Sequence, residues 1–259
     1  MPGSAHQRCG SQVANFLASV EPDVHEIHQS SVETPDRAEL IRFFSVLSHD
    51  LKSPIFSIDG FSDLLLSDYG DKLEGEGRDF LQRIRSAAQQ MRRTLDAMSH
   101  MVKLLSRPIT RKEINLTEVM DELRLKYNFM IEAGGVTLEI PSVLPVITGD
   151  LEKIREAFGA VLSNAMIFTD RPPGERRVSL SASQNNEMHE FIIADNGSGM
   201  DPRYVHQIFE LGLKLDKSRG EGPGYGLYLA KQILESHGGA LSVQTSPGEG
   251  SQFLLTLPA

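Results

Sequence analysis

The chain has 259 residues, enough for two modest domains with a core each, and its 40% hydrophobic and 24% charged content is that of a folded protein. Its net charge of −9 repels phosphate backbones and anionic lipid heads, which sets aside nucleic acid and membrane surfaces as primary partners. Any site for an anionic nucleotide must therefore supply its own local donors.

Cys9 is the only cysteine, which excludes an internal disulfide framework and a thiolate zinc cage and fits a reducing cytoplasm. No apolar stretch approaches the roughly 18 to 20 residues that cross a bilayer, so no membrane insertion is expected. The N-terminus has no charged segment followed by an apolar run, so no signal peptide is expected. Residues 1–36 carry one weak helical stripe, Val13, Phe16, Leu17, Val20, Val24 and Ile27. They read as a tail, a docking helix or the stub of a linker to an input domain.

From Ile41 the pattern sharpens. Ile41, Phe44, Leu47, Leu51, Ile55, Ile58, Phe61 and Leu65 recur at steps of three and four, one apolar face of a long helix. Tyr69 to Gly77 carries three glycines and predicts a tight reversal. A second stripe follows at Phe80, Ile84, Ala87, Met91, Leu95, Met98, Val102 and Leu105. Residues 37–108 are thus expected to form an antiparallel helical hairpin. A lone hairpin leaves its apolar surface wet, so two copies should pair as a homodimer in a four-helix bundle.

Arg107-Pro108 breaks the second helix and a second domain, 109–259, follows. Its periods predict a helix over 117–133 with Thr117 as cap, a strand at Val136–Ile140 and a helix from Leu151 to Met166. Strands at Val178–Ala182 and Glu190–Ala194 come next, then a helix near 202–209, a glycine-rich loop, a helix near 224–237 and two closing strands. The fold class is α+β: the hairpin, then an α/β sandwich of one mixed sheet covered by helices on one face.

Phe44 to Pro54 reads FSVLSHDLKSP. At roughly 100° per residue, His49 lies about 200° around the helix from Leu47 and from Leu51, off the core stripe and open to solvent. A neutral imidazole there can act as a nucleophile through one nitrogen if a neighbour accepts a hydrogen bond from the other, and Asp50 is that neighbour. Ser53, one turn on, shares the face and could orient a water or a phosphoryl oxygen. Pro54 inside a helix costs about 3 kcal/mol and marks a bend. The plainer alternative is a surface histidine on an amphipathic helix.

Ser48-His49-Asp50-Leu51-Lys52-Ser53-Pro54 resembles the H-box of the two-component sensor histidine kinases, and the similarity runs from about Ala38 to the C-terminus. The resemblance implies that His49 is the phospho-acceptor and Asp50 its acidic partner, with Ser53 where the family often uses Thr or Asn to dephosphorylate its partner. Asp195-Asn196-Gly197-Ser198-Gly199-Met200 is similar to the first glycine box. There a carboxylate at a strand end can accept the exocyclic amine of adenine and glycines let the backbone approach the base, although Asp-Asn-Gly is also a common turn. Gly222-Pro223-Gly224-Tyr225-Gly226-Leu227 precedes a helix whose N-terminus can receive phosphate oxygens. Ile208-Phe209-Glu210, His237-Gly238-Gly239 and Gly248-Glu249-Gly250-Ser251 complete the order of the family's boxes.

Leu162-Ser163-Asn164-Ala165 resembles the N-box, which implies Asn164 as a magnesium ligand, an oxygen donor for a hard ion. Phe168 falls where the family sets an aromatic against the nucleotide, with core packing as the alternative. Lys214 and Arg219 lie in the expected lid, as partners of the terminal phosphates or as solvated charges. The pattern fails at Ala160 and Ile167, where the family usually has Asn and a basic residue, and more mildly at Gly212. A lost charge-assisted contact costs roughly 1.5–3 kcal/mol, so nucleotide binding or transfer should be weakened.

The resemblance implies a homodimeric ATP-binding kinase of the histidine kinase/chaperone ATPase fold. It would use ATP and Mg to phosphorylate His49 and pass the group to an aspartate of a response regulator receiver domain, with a separate sensor or input protein as a further partner. One alternative is a dimeric scaffold whose nucleotide site has decayed. A clamp ATPase of the chaperone and topoisomerase type ranks last, because it needs a Glu general base where Ala160 stands and has no H-box.

Overall fold

The computed structural model describes residues 37–73, 75–185, 187–213 and 223–259. The tail expected over 1–36, Lys214 and Arg219 of the expected lid, and Gly222 of the glycine-rich loop lie outside them.

Helix α1, Arg37–Tyr69, and helix α2, Gly75–Ser106, are joined by a single 3₁₀ turn at Gly70–Lys72. Polar pairs fix their antiparallel register: Lys52 with Asp96 at 2.8 Å, Gln89 with Asp59 at 3.2 Å, and Arg85 with Asp63 at 2.8 Å. Each step up α1 is matched by one step down α2, which brings Ser48 level with His100. α1 runs on through Pro54, which deprives the Asp50 carbonyl of its usual helical donor.

The seam inside the hairpin is narrow. Ser48, Ile55 and Ser62, seven residues apart, are buried with Ala88. Most of the apolar stripe read from the sequence points away from that seam. Leu47, Leu51, Ile58 and Leu65 stay exposed, Phe61 is 67% exposed, and Phe80, Ile84 and Met91 on α2 are open as well.

The second module begins with β1, Lys112–Asn115, followed by α3, Leu116–Lys126, and α4, Asn128–Gly134. The single helix expected over 117–133 is broken at Tyr127, whose hydroxyl turns in to donate to the Gly159 carbonyl at 3.1 Å. Thr117 is not the cap either. The Asn115 side chain accepts from the Thr117 amide at 3.1 Å, while the Thr117 hydroxyl accepts from the Leu144 amide at 3.0 Å.

Strands β2, Val136–Glu139, and β3, Val146–Gly149, precede α5, Leu151–Phe168; β4, Arg176–Asn185, and β5, Met188–Asp195, follow. The chain closes with α6, Gly226–Ser236, β6, Ala240–Ser246, and β7, Gly250–Pro258. The main sheet has the order β2-β4-β5-β7-β6, with β2 parallel to β4 and the other pairs antiparallel; β1 and β3 form a separate antiparallel pair. The helix expected near 202–209 is instead two 3₁₀ turns, Pro202–Tyr204 and Gln207–Phe209. The anchors there, Val205 and Ile208, lie three residues apart, the repeat of a 3₁₀ turn.

Phe158 of α5 meets Phe191 of β5 edge-on at 5.2 Å in the centre of the core. Alternation along β5 buries His189, Phe191, Ile193 and Asp195 on the helix-covered face. Met101 and Leu104 near the end of α2 belong to this same core. Among the described residues no helix is long and apolar enough to cross a membrane.

Candidate functional site

Two sets of residues are candidates for chemistry: one on the hairpin, one at the C-terminal ends of α5 and β5. On α1 the His49 side chain is 89% exposed and its Nδ1 lies 3.2 Å from the Asp50 carboxylate. The tautomer with the proton on Nδ1 donates to Asp50 and leaves Nε2 with a lone pair facing solvent. Ser53 is exposed one turn further on. The sequence placed Ser53 on the face of His49 with Asp50 as the ring's neighbour; the structure pairs His49 with Asp50 and leaves Ser53 exposed.

On the α/β module, Asp195 ends β5 on the buried face, and its Oδ1 accepts from the Gly197 amide at 2.9 Å. Burial pushes its carboxyl up to about 6, against hydrogen bonds from the Gly197 and Ser251 backbone that lower it; the nearby Asp170 charge adds to the rise. A carboxylate so placed is short of donors and suits a ligand that brings one.

Glycine is required at two positions of this turn. A Cβ on Gly197 would sit 2.1 Å from the Phe168 carbonyl oxygen. One on Gly199, at φ +60°, would sit 2.0 Å from the Ser246 carbonyl oxygen. The Gly248 amide donates to the Ser198 carbonyl at 2.6 Å, and the Met200 amide to the Thr245 hydroxyl at 3.0 Å, so the turn is stitched to the β6–β7 hairpin. Asn196 completes the wiring, accepting from the Thr169 hydroxyl and the Arg177 amide while donating to the Glu175 carbonyl. An ordinary Asp-Asn-Gly turn needs none of these ties.

Asn164 and Phe168 lie half-buried on the last turns of α5. The Asn164 carboxamide makes no hydrogen bond among the described residues, so its oxygen is available. No group of three His, Cys, Asp or Glu among the described residues could hold a metal by itself. Asn164 therefore fits a hard cation only where a ligand's oxygens fill most of its coordination sphere. Gly224 adopts φ +84°, and α6 starts at Gly226, two residues later than expected, with Tyr225 before it providing no side-chain cap. The first-turn amides of α6 are thus left for an anion. Leu227 packs against the core. A Cβ on Gly226 would lie 3.5 Å from that of Ala160, so the departure at Ala160 sits beside the helix start.

Sequence reasoning missed Arg171. Its Nε donates to the Asn196 carbonyl at 3.1 Å and its Nη2 to the Gly248 carbonyl at 2.9 Å, clamping the glycine turn from outside. With Asp170, Pro172, Gly197, Ser198 and Gly248 it lines an open cleft. Arg171 lies in a loop of Pro and Gly with no period to flag it.

Residues 39–107 match the family described as the His Kinase A (phospho-acceptor) domain, and residues 149–259 match the histidine kinase-, DNA gyrase B-, and HSP90-like ATPase. The chain is 30% identical over 236 residues to cyanobacterial phytochrome B of Nostoc sp., a match covering 90% of this chain and 31% of that protein. It is 30% identical over 229 residues to the methanogenesis regulatory histidine kinase FilI of Methanothrix harundinacea, covering 85% of this chain and 25% of that protein. It thus spans less than a third of the length of these curated relatives. The crystal structure of full-length ShkA in complex with AMPPNP shares the fold at a TM-score of 0.64 and 22% identity, over 84% of this chain and 45% of that one.

Proposed function

Because the chain belongs to the two-component sensor histidine kinase family, we propose that it transfers the terminal phosphoryl group of ATP to His49 and from there to an aspartate of a response regulator. The observation that carries this reading is the His49 ring, held by Asp50 at Nδ1 and open at Nε2. The hairpin is taken as 37–108 and the ATP-binding module as 109–259, and the protein is assigned to the cytoplasm.

Nε2 attacks the terminal phosphorus as the bond to the bridging oxygen breaks and ADP leaves, so an N–P bond forms in place of a P–O bond. Asp50 offsets the positive charge that develops on the ring. A receiver aspartate oxygen then attacks phosphorus, the N–P bond breaks, and the imidazole is returned neutral. On the other module Asp195 would accept the adenine amine, Gly197 and Gly199 would admit the base, and Phe168 would flank it. The phosphates would lie on Gly222, Gly224, Gly226 and the amide of Leu227, with Lys214 and Arg219 reaching from the lid. Asn164 would hold magnesium, which when bound offsets phosphate charge. Incubated with magnesium and ATP labelled on the terminal phosphate, the protein is expected to take up acid-labile, base-stable label. A folded, nucleotide-binding protein without label would overturn the proposal.

The raised carboxyl of Asp195 gives this site a pH dependence. Folding favours the protonated form, so its contribution to stability is complete below 3.8 and is lost as the pH rises through about 6. Adenine's amine needs the ionised acceptor, so the sign for binding is opposite. Nucleotide affinity should fall about tenfold between pH 7 and pH 5. Calorimetric titration checks this, and the fall should be absent in Asp195→Asn, which separates it from titration of the nucleotide's own phosphates.

The open stripe on both hairpin helices supports a homodimer. Burying it in a four-helix bundle removes Leu51, Ile58, Phe61 and Phe80 from water, worth about 1.5–3 kcal/mol for each side chain fully buried. The double substitution Ile58→Glu, Phe61→Glu is expected to sediment as a monomer at concentrations where the unaltered protein is a dimer. A double variant that stays dimeric would place the interface elsewhere.

A further inference from the structure

The Asp195 carboxylate is held through a backbone unit that is itself gripped from outside. Its Oδ1 takes the Gly197 amide at 2.9 Å, and the Ser251 backbone supplies a second donor. The Gly197 amide belongs to the same planar, trans peptide unit as the Asn196 carbonyl, and the two groups point in opposite directions. That carbonyl is the one that accepts from Arg171 Nε at 3.1 Å. Arg171 and Asp195 therefore hold opposite edges of one peptide plane, with the guanidinium outside and the carboxylate inside.

The same guanidinium ties in the second donor. Its Nη2 reaches the Gly248 carbonyl at 2.9 Å, so one fork joins the turn after β5 to the turn between β6 and β7. From that second turn β7 carries Ser251, which lies opposite Asp195 in the sheet register. The Arg171 carbonyl accepts in turn from Arg176 Nε at 2.7 Å, and Arg176 Nη1 donates to the Gly134 carbonyl at the end of α4 at 3.0 Å. Arg171 is thus rooted in the module although its side chain is exposed. Two effects follow. The peptide plane cannot rotate without breaking the fork, and a cation on its carbonyl polarises the unit, which strengthens donation from the amide at the far edge.

We propose that Arg171 is a positioning residue for base recognition: by gripping the Asn196–Gly197 peptide it fixes the Asp195 carboxylate where an exocyclic amine can reach it, without touching the nucleotide. The proposal rests on Asp195 accepting the adenine amine. What Arg171 then sharpens is the choice between a purine that carries a 6-amino donor and one that does not. Plain attraction between an exposed cation and the phosphates would instead favour both purines alike.

The test uses the full chain and compares ATP with purine riboside triphosphate, which differs only in lacking the amine, by calorimetric titration in magnesium. The unaltered protein is expected to bind ATP at least about tenfold tighter than the analogue. In Arg171→Ala that advantage should shrink to about two- to threefold through loss of ATP affinity, with affinity for the analogue unchanged. Arg171→Lys keeps the charge but offers a point donor in place of a fork, so its advantage should fall between the two. The lysine variant also carries the test alone if thermal unfolding shows that the alanine variant does not fold. A full ATP advantage in the folded variants overturns the role of Arg171 and leaves Asp195 as the acceptor. Equal losses for ATP and the analogue overturn it in favour of phosphate attraction. An unaltered protein that binds both nucleotides equally, or neither, removes the amine contact at Asp195, and the role of Arg171 falls with it.

Discussion

Replacing His49 by alanine is expected to reduce phosphoryl uptake from labelled ATP to background, a loss of at least about a hundredfold, with nucleotide binding and dimerisation intact. The side chain is 89% exposed and its hydrogen bond among the described residues is to Asp50, so its removal costs the fold little. Asp50→Asn should give an intermediate result. The amide oxygen still accepts from Nδ1, but without a full negative charge to offset the imidazolium, so the rate should fall about ten- to a hundredfold with unchanged ATP affinity. If His49→Ala retained its label, the acceptor would be another residue. Equal loss in both variants would make Asp50 indispensable rather than supporting.

Gly197→Ala is a severe single change at the proposed nucleotide site. The new methyl would lie 2.1 Å from the Phe168 carbonyl oxygen and 2.9 Å from Asp195 Oδ1. Neither can retreat cheaply: the carbonyl ends α5 and accepts from the Ser198 amide, and the carboxylate holds the Gly197 amide. Overpacking of this kind costs about 1–3 kcal/mol in stability. It also moves the proposed adenine acceptor and the proposed flanking ring together, so ATP affinity should drop by well over about tenfold. Thermal unfolding and calorimetric titration read the two effects, and the hairpin should still dimerise. An unchanged ATP affinity would place the base somewhere other than on this turn.

Much of the architecture was legible because it is periodic. The hairpin, α5 and the strands β4 and β5 follow apolar spacings that burial enforces, and Asp195 inherits its burial from the same alternation that buries Phe191 and Ile193. Where the elements are short, period fails. β1 and β3 hold four residues each and were not foreseen, and 202–209 has too few anchors to separate a helix from 3₁₀ turns. The break at Tyr127 depends on a hydroxyl reaching the Gly159 carbonyl, a tertiary contact with no local signature.

The stripe on α1 was read correctly as apolar, but its role differs from what a single hairpin suggests. Ser48 and Ser62 flank Ile55 in the inner seam, and most of the other large side chains of the stripe face outwards. At the candidate site the motif residues were visible, whereas their supports were not. Arg171 and Thr245 act through hydrogen bonds across the fold, to Gly248 and Met200, which no spacing in the sequence encodes.

The reading stands or falls on which atom receives phosphorus. Protein incubated briefly with Mg-ATP, digested at alkaline pH and fragmented in a mass spectrometer, should carry its phosphoryl group on His49, with a phosphorus resonance of the N–P type in the intact protein. A phosphoryl group on Ser48 or Ser53, or none on a chain that demonstrably binds ATP, would contradict it.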